Sequence, residues 1–130
     1  MRKEEQDKLT REIIGCAMEV HKVLGNGFQE VVYQRALSIE MKLRHIEHQR
    51  EFTMPLLYKG IDVGRRRVDF LVTHAISVEI KAISNLEDVH LAQAINYLEA
   101  YNLPTGLLLN FGSQSLQFKR LFHKKYLGGV

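Results

Sequence analysis

Acidic residues set inside apolar, strand-like runs constrain this chain more than any other feature. Asp69 lies within Val68-Asp69-Phe70-Leu71-Val72, and Glu79 within Val78-Glu79-Ile80-Lys81-Ala82. A carboxylate in such a run is costly to bury unless it is paired or bound to a cation. Two further polar signals flank these runs. Glu30 stands upstream in Gly27-Phe28-Gln29-Glu30-Val31-Val32-Tyr33, and Gln93-Ala94-Ile95-Asn96-Tyr97 follows downstream. The fold has to place the two strand acids where something offsets their charge.

Strand side chains alternate, so Glu79 and Lys81 share a face, about 6.6 Å apart along the strand. Val78, Ile80 and Ala82 then face the core. Asp69 belongs to the preceding strand, and a hairpin would bring it beside Glu79. Two neighbouring carboxylates repel unless a cation sits between them. Mg²⁺ takes one or two carboxylates, waters and substrate phosphate oxygens. Such a metal generates a hydroxide nucleophile and offsets charge on a phosphate. Lys81 would orient the water or stabilise the developing charge. An acid followed one strand later by Glu-x-Lys therefore suits a metal-dependent phosphodiesterase, and a nuclease is the leading expectation. Plainer readings compete. Glu-x-Lys triplets are common on solvated strand faces, Asp69 could pair with Arg67, and Glu30 is favourable in a first helical turn for dipole reasons alone.

Gln93 and Tyr97 are four apart and share one helix face, with His90 on the same side. They are expected to border the site and contact the substrate backbone or the catalytic groups. Tyr97 equally suits a core position with a satisfied hydroxyl, and a lone His on a half-buried helix is more often structural. His21, at the end of the first helix, is favoured there by the dipole. The basic clusters Arg65-Arg66-Arg67, Lys119-Arg120 and His123-Lys124-Lys125 could contact phosphates, although each also reads as a solvated edge that guards against strand aggregation.

The 130 residues suit one domain over 1–130 with a real core. A net charge of +3 fits a polyanionic partner without demanding one. The one cysteine, Cys16, excludes an intramolecular disulfide and reads as a buried, inert thiol in a reducing compartment. The charged N-terminus is not followed by a signal-like apolar stretch, and no run approaches the roughly 20 residues that span a bilayer. A cytoplasmic protein without a membrane partner is expected.

Ile13, Ala17, Val20 and Leu24 recur at helical spacing after Thr10, a candidate cap, and Gly25-Asn26-Gly27 ends that helix. A second helix starts near Gln29 and runs to about Arg44, with Val32, Ala36, Ile39 and Leu43 as its buried stripe. Strands are expected around Phe52 to Tyr58, Ile61 to Gly64, Arg66 to Thr73 and Ile76 to Ala82, with Lys59-Gly60 as a turn. A helix over Leu86 to Tyr101 follows, then strands at Leu107 to Phe111 and Leu116 to Phe122. The order is ααββββαββ, in the α/β (α+β) class. The crossover from Ile80 to Leu108 is long enough for a parallel pair, so the sheet is mixed.

Several strings together resemble the GxxExxY proteins, a small branch of the PD-(D/E)XK nuclease superfamily. They are His21-Lys-Val-Leu-Gly25-Asn-Gly27-Phe-Gln-Glu30-Val-Val-Tyr33, Tyr58-Lys-Gly60, Val68-Asp69-Phe70-Leu71-Val72, Val78-Glu79-Ile80-Lys81-Ala82, Val89-His90-Leu-Ala-Gln93 and Leu107-Leu-Leu-Asn110-Phe111. They span about residues 9 to 122. The resemblance implies a restriction-endonuclease-like core, a mixed β-sheet flanked by helices. It implies that Asp69 and Glu79, with the Ile80 carbonyl as a third donor, are ligands for Mg²⁺ or Mn²⁺, and that Lys81 is the catalytic lysine. Glu30 would be the helix acid near the metal, and Gln93 and Tyr97 the Gln-x-x-x-Tyr element. Val68 stands where the superfamily often has proline. The expected substrate is DNA or RNA. The competing expectation is a non-catalytic nucleic-acid-binding or protein-interaction domain that keeps the fold, as a homodimer or with another protein partner. The chain has no room for a separate recognition domain, so sequence specificity would need a partner chain or dimerisation.

Overall fold

The structure, a computed structural model, describes residues 1–127, with side chains described to residue 125. Its elements are α1 (Lys3–Leu24), α2 (Glu30–Leu43), β1 (His48–Tyr58), β2 (Ile61–Val72), β3 (Ile76–Lys81), α3 (Asp88–Tyr101), β4 (Thr105–Asn110), β5 (Gln117–Phe122) and a one-turn α4 (Lys124–Leu127). Three strands precede α3, not four. The expected breaks at Gly64 and Arg65 fall inside one continuous β2, because both residues stay paired with Leu56 and Pro55 of β1. Thr10 does not cap α1. It is buried within that helix and its hydroxyl donates to the Gln6 carbonyl one turn back (2.7 Å).

The five strands lie in the order β1-β2-β3-β4-β5. Neighbours are antiparallel except β3 and β4, which run parallel with Ile80 opposite Leu109. The α3 crossover makes that parallel pair possible. The sheet is therefore mixed, as expected. Lys59 (φ 51°) and Gly60 (φ 80°) form the two-residue hairpin between β1 and β2. Positive φ at both central residues matches the strand twist.

Helices cover both faces of the sheet. Ile13, Ala17 and Val20 of α1 and Tyr33, Leu37 and Met41 of α2 pack on Phe70, Val72, Val78, Ile80, Leu107 and Leu109. Ala94 and Leu98 of α3 pack on Leu108 and Leu121 across the opposite face, and Tyr101 packs on Met54, Val68 and Leu71. The expected buried stripe of α2 is corrected here. Ile39 and Leu43 are exposed, and Tyr33, Leu37 and Met41 are buried instead. Both stripes are apolar at helical spacing, and the aromatic one wins because Tyr33 stacks on Phe111 with ring centroids 4.7 Å apart. Cys16 is buried in the same core. No described helix is long and apolar enough to cross a membrane.

Candidate functional site

The site forms where β2 and β3 part. Their paired register runs from Val72↔Ile76 to Phe70↔Val78. At the next position the Asp69 carboxylate enters the ladder: its Oδ2 accepts the Ile80 N–H at 2.7 Å. The strand also changes face here. Val68 packs beneath α3, whereas Phe70, two residues on, packs beneath α1 and α2. Across from this break, Glu51 takes a left-handed backbone (φ 55°). The fork lets groups from both helical layers reach one opening.

From the α2 side comes Gln34, which is buried and donates through Nε2 to Asp69 Oδ1 at 2.8 Å. Gln34 in turn accepts from Arg50 Nη1 at 3.1 Å. Asp69 therefore does not pair with Arg67, which reaches Glu51 at the surface (3.6 Å). Glu30 stands one turn before Gln34, exposed at the start of α2. Partial burial and the Asp69 charge lift its carboxyl above the ordinary value, while Lys81 draws it down. Solvent screens these effects at so exposed a group. They still place Glu30, Asp69 and Lys81 in one electrostatic neighbourhood.

On the α3 side, Glu79 is 7% exposed. Its Oε1 accepts from Arg66 Nη1 at 2.5 Å and from the Tyr101 hydroxyl at 3.2 Å. Burial lifts the Glu79 carboxyl above its usual value; Arg66 opposes the rise and Asp69 adds to it. Burial likewise raises the Tyr101 hydroxyl, with Glu79 adding to the rise. Burial works against the charge on Arg66, but Glu79 and Tyr101 outweigh it, and the guanidinium pKa is raised. Arg66 also lies over the Tyr97 ring, its guanidinium carbon 3.9 Å from the centroid.

One cleft is lined by Arg66, Glu79, Lys81, His90, Gln93, Ala94, Tyr97 and Leu108. Glu79, Lys81, His90, Gln93 and Tyr97 of the sequence-derived set thus come together there. Asp69 and Glu30 approach from the fork rather than lining that cleft. His90 has a second task, since its Nδ1 accepts the Glu87 N–H at the start of α3 (3.0 Å). His21 is apart from the cleft: its Nε2 is 3.0 Å from the Ser113 carbonyl oxygen. Gln34 and Tyr101 were not singled out by sequence reasoning, and Arg66 was named only within a cluster of three arginines. Tyr101 was signalled by the spacing Gln93, Tyr97, Tyr101, each four residues on. The arginine cluster reads either as a phosphate contact or as a solvated edge. The edge reading fits Arg65 and Arg67, but strand alternation turns Arg66 itself inward.

Among the described residues, no group of three or more His, Cys, Asp or Glu side chains is gathered that could hold a metal. Mg²⁺ does not require a full protein cage; one or two carboxylates with waters and phosphate oxygens suffice. The chemistry of the donors fits such an ion: two carboxylates and the Ile80 carbonyl are hard oxygens. Among the described residues both hydrogen bonds to the Glu79 carboxylate fall on Oε1, so Oε2 is open to a cation.

Residues 7–121 match the PD-(D/E)XK nuclease superfamily. No curated protein matches the chain. A solved structure, described as the crystal structure of SSO0001, is similar in fold, with a TM-score of 0.54 at 19% identity. The likeness covers 71% of this chain and 48% of the other, so the chain spans about half of that protein's length. It supports a restriction-endonuclease-like fold. Nucleases of the matched superfamily generally use divalent metal ions. By the match over most of its length, the chain belongs to the PD-(D/E)XK nuclease superfamily.

Proposed function

We propose that this chain is a Mg²⁺- or Mn²⁺-dependent nuclease of the GxxExxY branch, hydrolysing phosphodiester bonds in DNA or RNA within one domain over residues 1–130. The observation that carries the reading is the fork between β2 and β3. Asp69 accepts the Ile80 N–H at that fork, Glu79 and Lys81 line the neighbouring cleft, and the chain is one of the nuclease superfamily; together these support the reading. Asp69, Glu79 and the Ile80 carbonyl would hold the ion. When bound, a divalent ion supplies positive charge where the phosphate becomes more negative, and it acidifies water. Lys81 orients the attacking water and offers a compact charge to the developing negative charge. Glu30, within electrostatic reach of Lys81 and Asp69, is suited to accept a proton from that water. Gln93, Tyr97 and His90 border the cleft and support the substrate backbone.

The test is cleavage of plasmid DNA and of a mixed RNA in Mg²⁺ and Mn²⁺. Lys81→Ala should lower the rate by about 10²–10³-fold, the loss usual for one charge-stabilising group. Glu79→Gln should abolish cleavage in a protein that still melts cooperatively. Cleavage that survives both changes contradicts the proposal. A second reading is a nucleic-acid-binding or protein-interaction domain that keeps the fold without turnover. It rests on the hydrogen bonds already made to both Asp69 oxygens and to Glu79 Oε1. Salt-sensitive binding with no turnover under either metal would favour it.

A further inference from the structure

Arg66 has no part in the reaction just proposed, yet it is the cation held closest to Glu79. Its neighbours in the arginine run are surface groups: Arg65 pairs with Asp62 and Arg67 with Glu51, each at 3.6 Å. Arg66 instead enters the cleft with 29% of its side chain exposed. Both hydrogen bonds it makes, to Glu79 and to the Tyr101 hydroxyl (2.8 Å), leave from Nη1. Among the described residues, Nε and Nη2 donate to nothing. The guanidinium carbon lies over the Tyr97 ring, 3.9 Å from its centroid. A guanidinium offers five N–H donors in a rigid fork that matches a phosphate's oxygens, and stacking on an aromatic ring preorganises that fork. Here one arm of the fork is tied down, the guanidinium rests over an aromatic ring, and the remaining donors are unspent in a cleft shared with Lys81, His90 and Gln93.

We infer that Arg66 is a phosphate-binding residue of this site: Nη1 stays on Glu79 while Nε and Nη2 grip a phosphate oxygen pair of the nucleic-acid backbone. The inference rests on the nuclease reading and adds the group that holds the substrate beside the carboxylates. The role differs from that of a simple surface charge in one respect. An ammonium in place of the guanidinium would keep the charge and a partner for Glu79 but lose the two-pronged grip.

The experiment measures equilibrium binding of a short DNA duplex and a matching RNA duplex in EDTA, over a series of salt concentrations. Each phosphate neutralised contributes about −0.9 to the slope of log K against log salt on duplex DNA. Arg66→Gln keeps a donor for Glu79 and removes one phosphate contact. It should weaken binding and make the slope shallower by about 0.9. A purely structural role would not change the slope in a folded variant. Arg66→Lys guards against misfolding of the first variant, and it should keep the slope while weakening binding severalfold. A wild-type slope with Arg66→Gln, or wild-type affinity with Arg66→Lys, overturns the inference alone. Wild-type protein that binds neither duplex overturns the inference, whereas the nuclease reading stands or falls on cleavage in Mg²⁺ and Mn²⁺.

Discussion

Asp69 keeps its place at the fork because Gln34 and the Ile80 amide each give it a hydrogen bond. Gln34→Ala removes the first of these and leaves Arg50 Nη1 without its acceptor. The expected cost is about 1–3 kcal/mol, the usual penalty for stranding partly buried polar groups. Urea denaturation measures it, and an unchanged midpoint would show that Gln34 does not hold Asp69. Glu79 sets a pH dependence. Its folded pKa lies above its unfolded value, chiefly through burial. The folded state therefore binds more protons in the window just above the ordinary glutamate range. Stability from this group is fully present below that range and is lost as pH rises through the raised value. Denaturation midpoints in EDTA should fall across that window in wild type more steeply than in Glu79→Gln. Equal slopes would contradict the assignment. At this scale the shared cleft of Glu79 and Lys81 was legible, because strand alternation puts residues two apart on one face. Arg66 was not, because three arginines in a row look alike until the register against β1 and β3 fixes which one turns inward.

The Gly27-x-x-Glu30-x-x-Tyr33 string acquires a physical meaning at the level of elements. The Tyr33 hydroxyl donates to the Gly25 carbonyl (2.6 Å) and accepts the Phe28 N–H (3.1 Å), while its ring stacks on Phe111. One buried side chain thus ties the loop after α1 to the first turn of α2 and so sets where Glu30 emerges. Tyr33→Phe keeps the stacking and strands a carbonyl and an amide. It should cost about 1–3 kcal/mol by thermal or urea melting, with cleavage lowered more than metal binding. A variant of wild-type stability would leave the loop without this anchor. Helix existence and the Lys59-Gly60 hairpin were readable from periodicity and turn chemistry. The face of α2 was not, since two apolar stripes compete on that helix and only contact with Phe111 decides between them. The unbroken β2 was missed for a related reason: Gly64 and Arg65 look like an interruption but remain paired across the hairpin.

Over the whole molecule, the one parallel pair of the mixed sheet and the helical layer on one face follow from the α3 crossover between β3 and β4, while α1 and α2 cover the other face. That topology puts Asp69 and Glu79 on neighbouring strands near the middle of the sheet. Glu30 and Gln34 then come from one helical layer, and Gln93 and Tyr97 from the other. Sequence order conveyed the strand neighbours. The opening between β2 and β3 was hidden, because it depends on a carboxylate replacing a backbone acceptor at a single rung. A divalent-ion site at this fork is the central claim. The most direct test is calorimetric titration of Mn²⁺ and Mg²⁺ into wild-type protein and into the Asp69→Asn, Glu79→Gln double variant, with folding of both checked by melting. Saturable binding in wild type that disappears in the folded double variant is the expected result. Binding of equal strength in both proteins would contradict a metal site built on these two carboxylates.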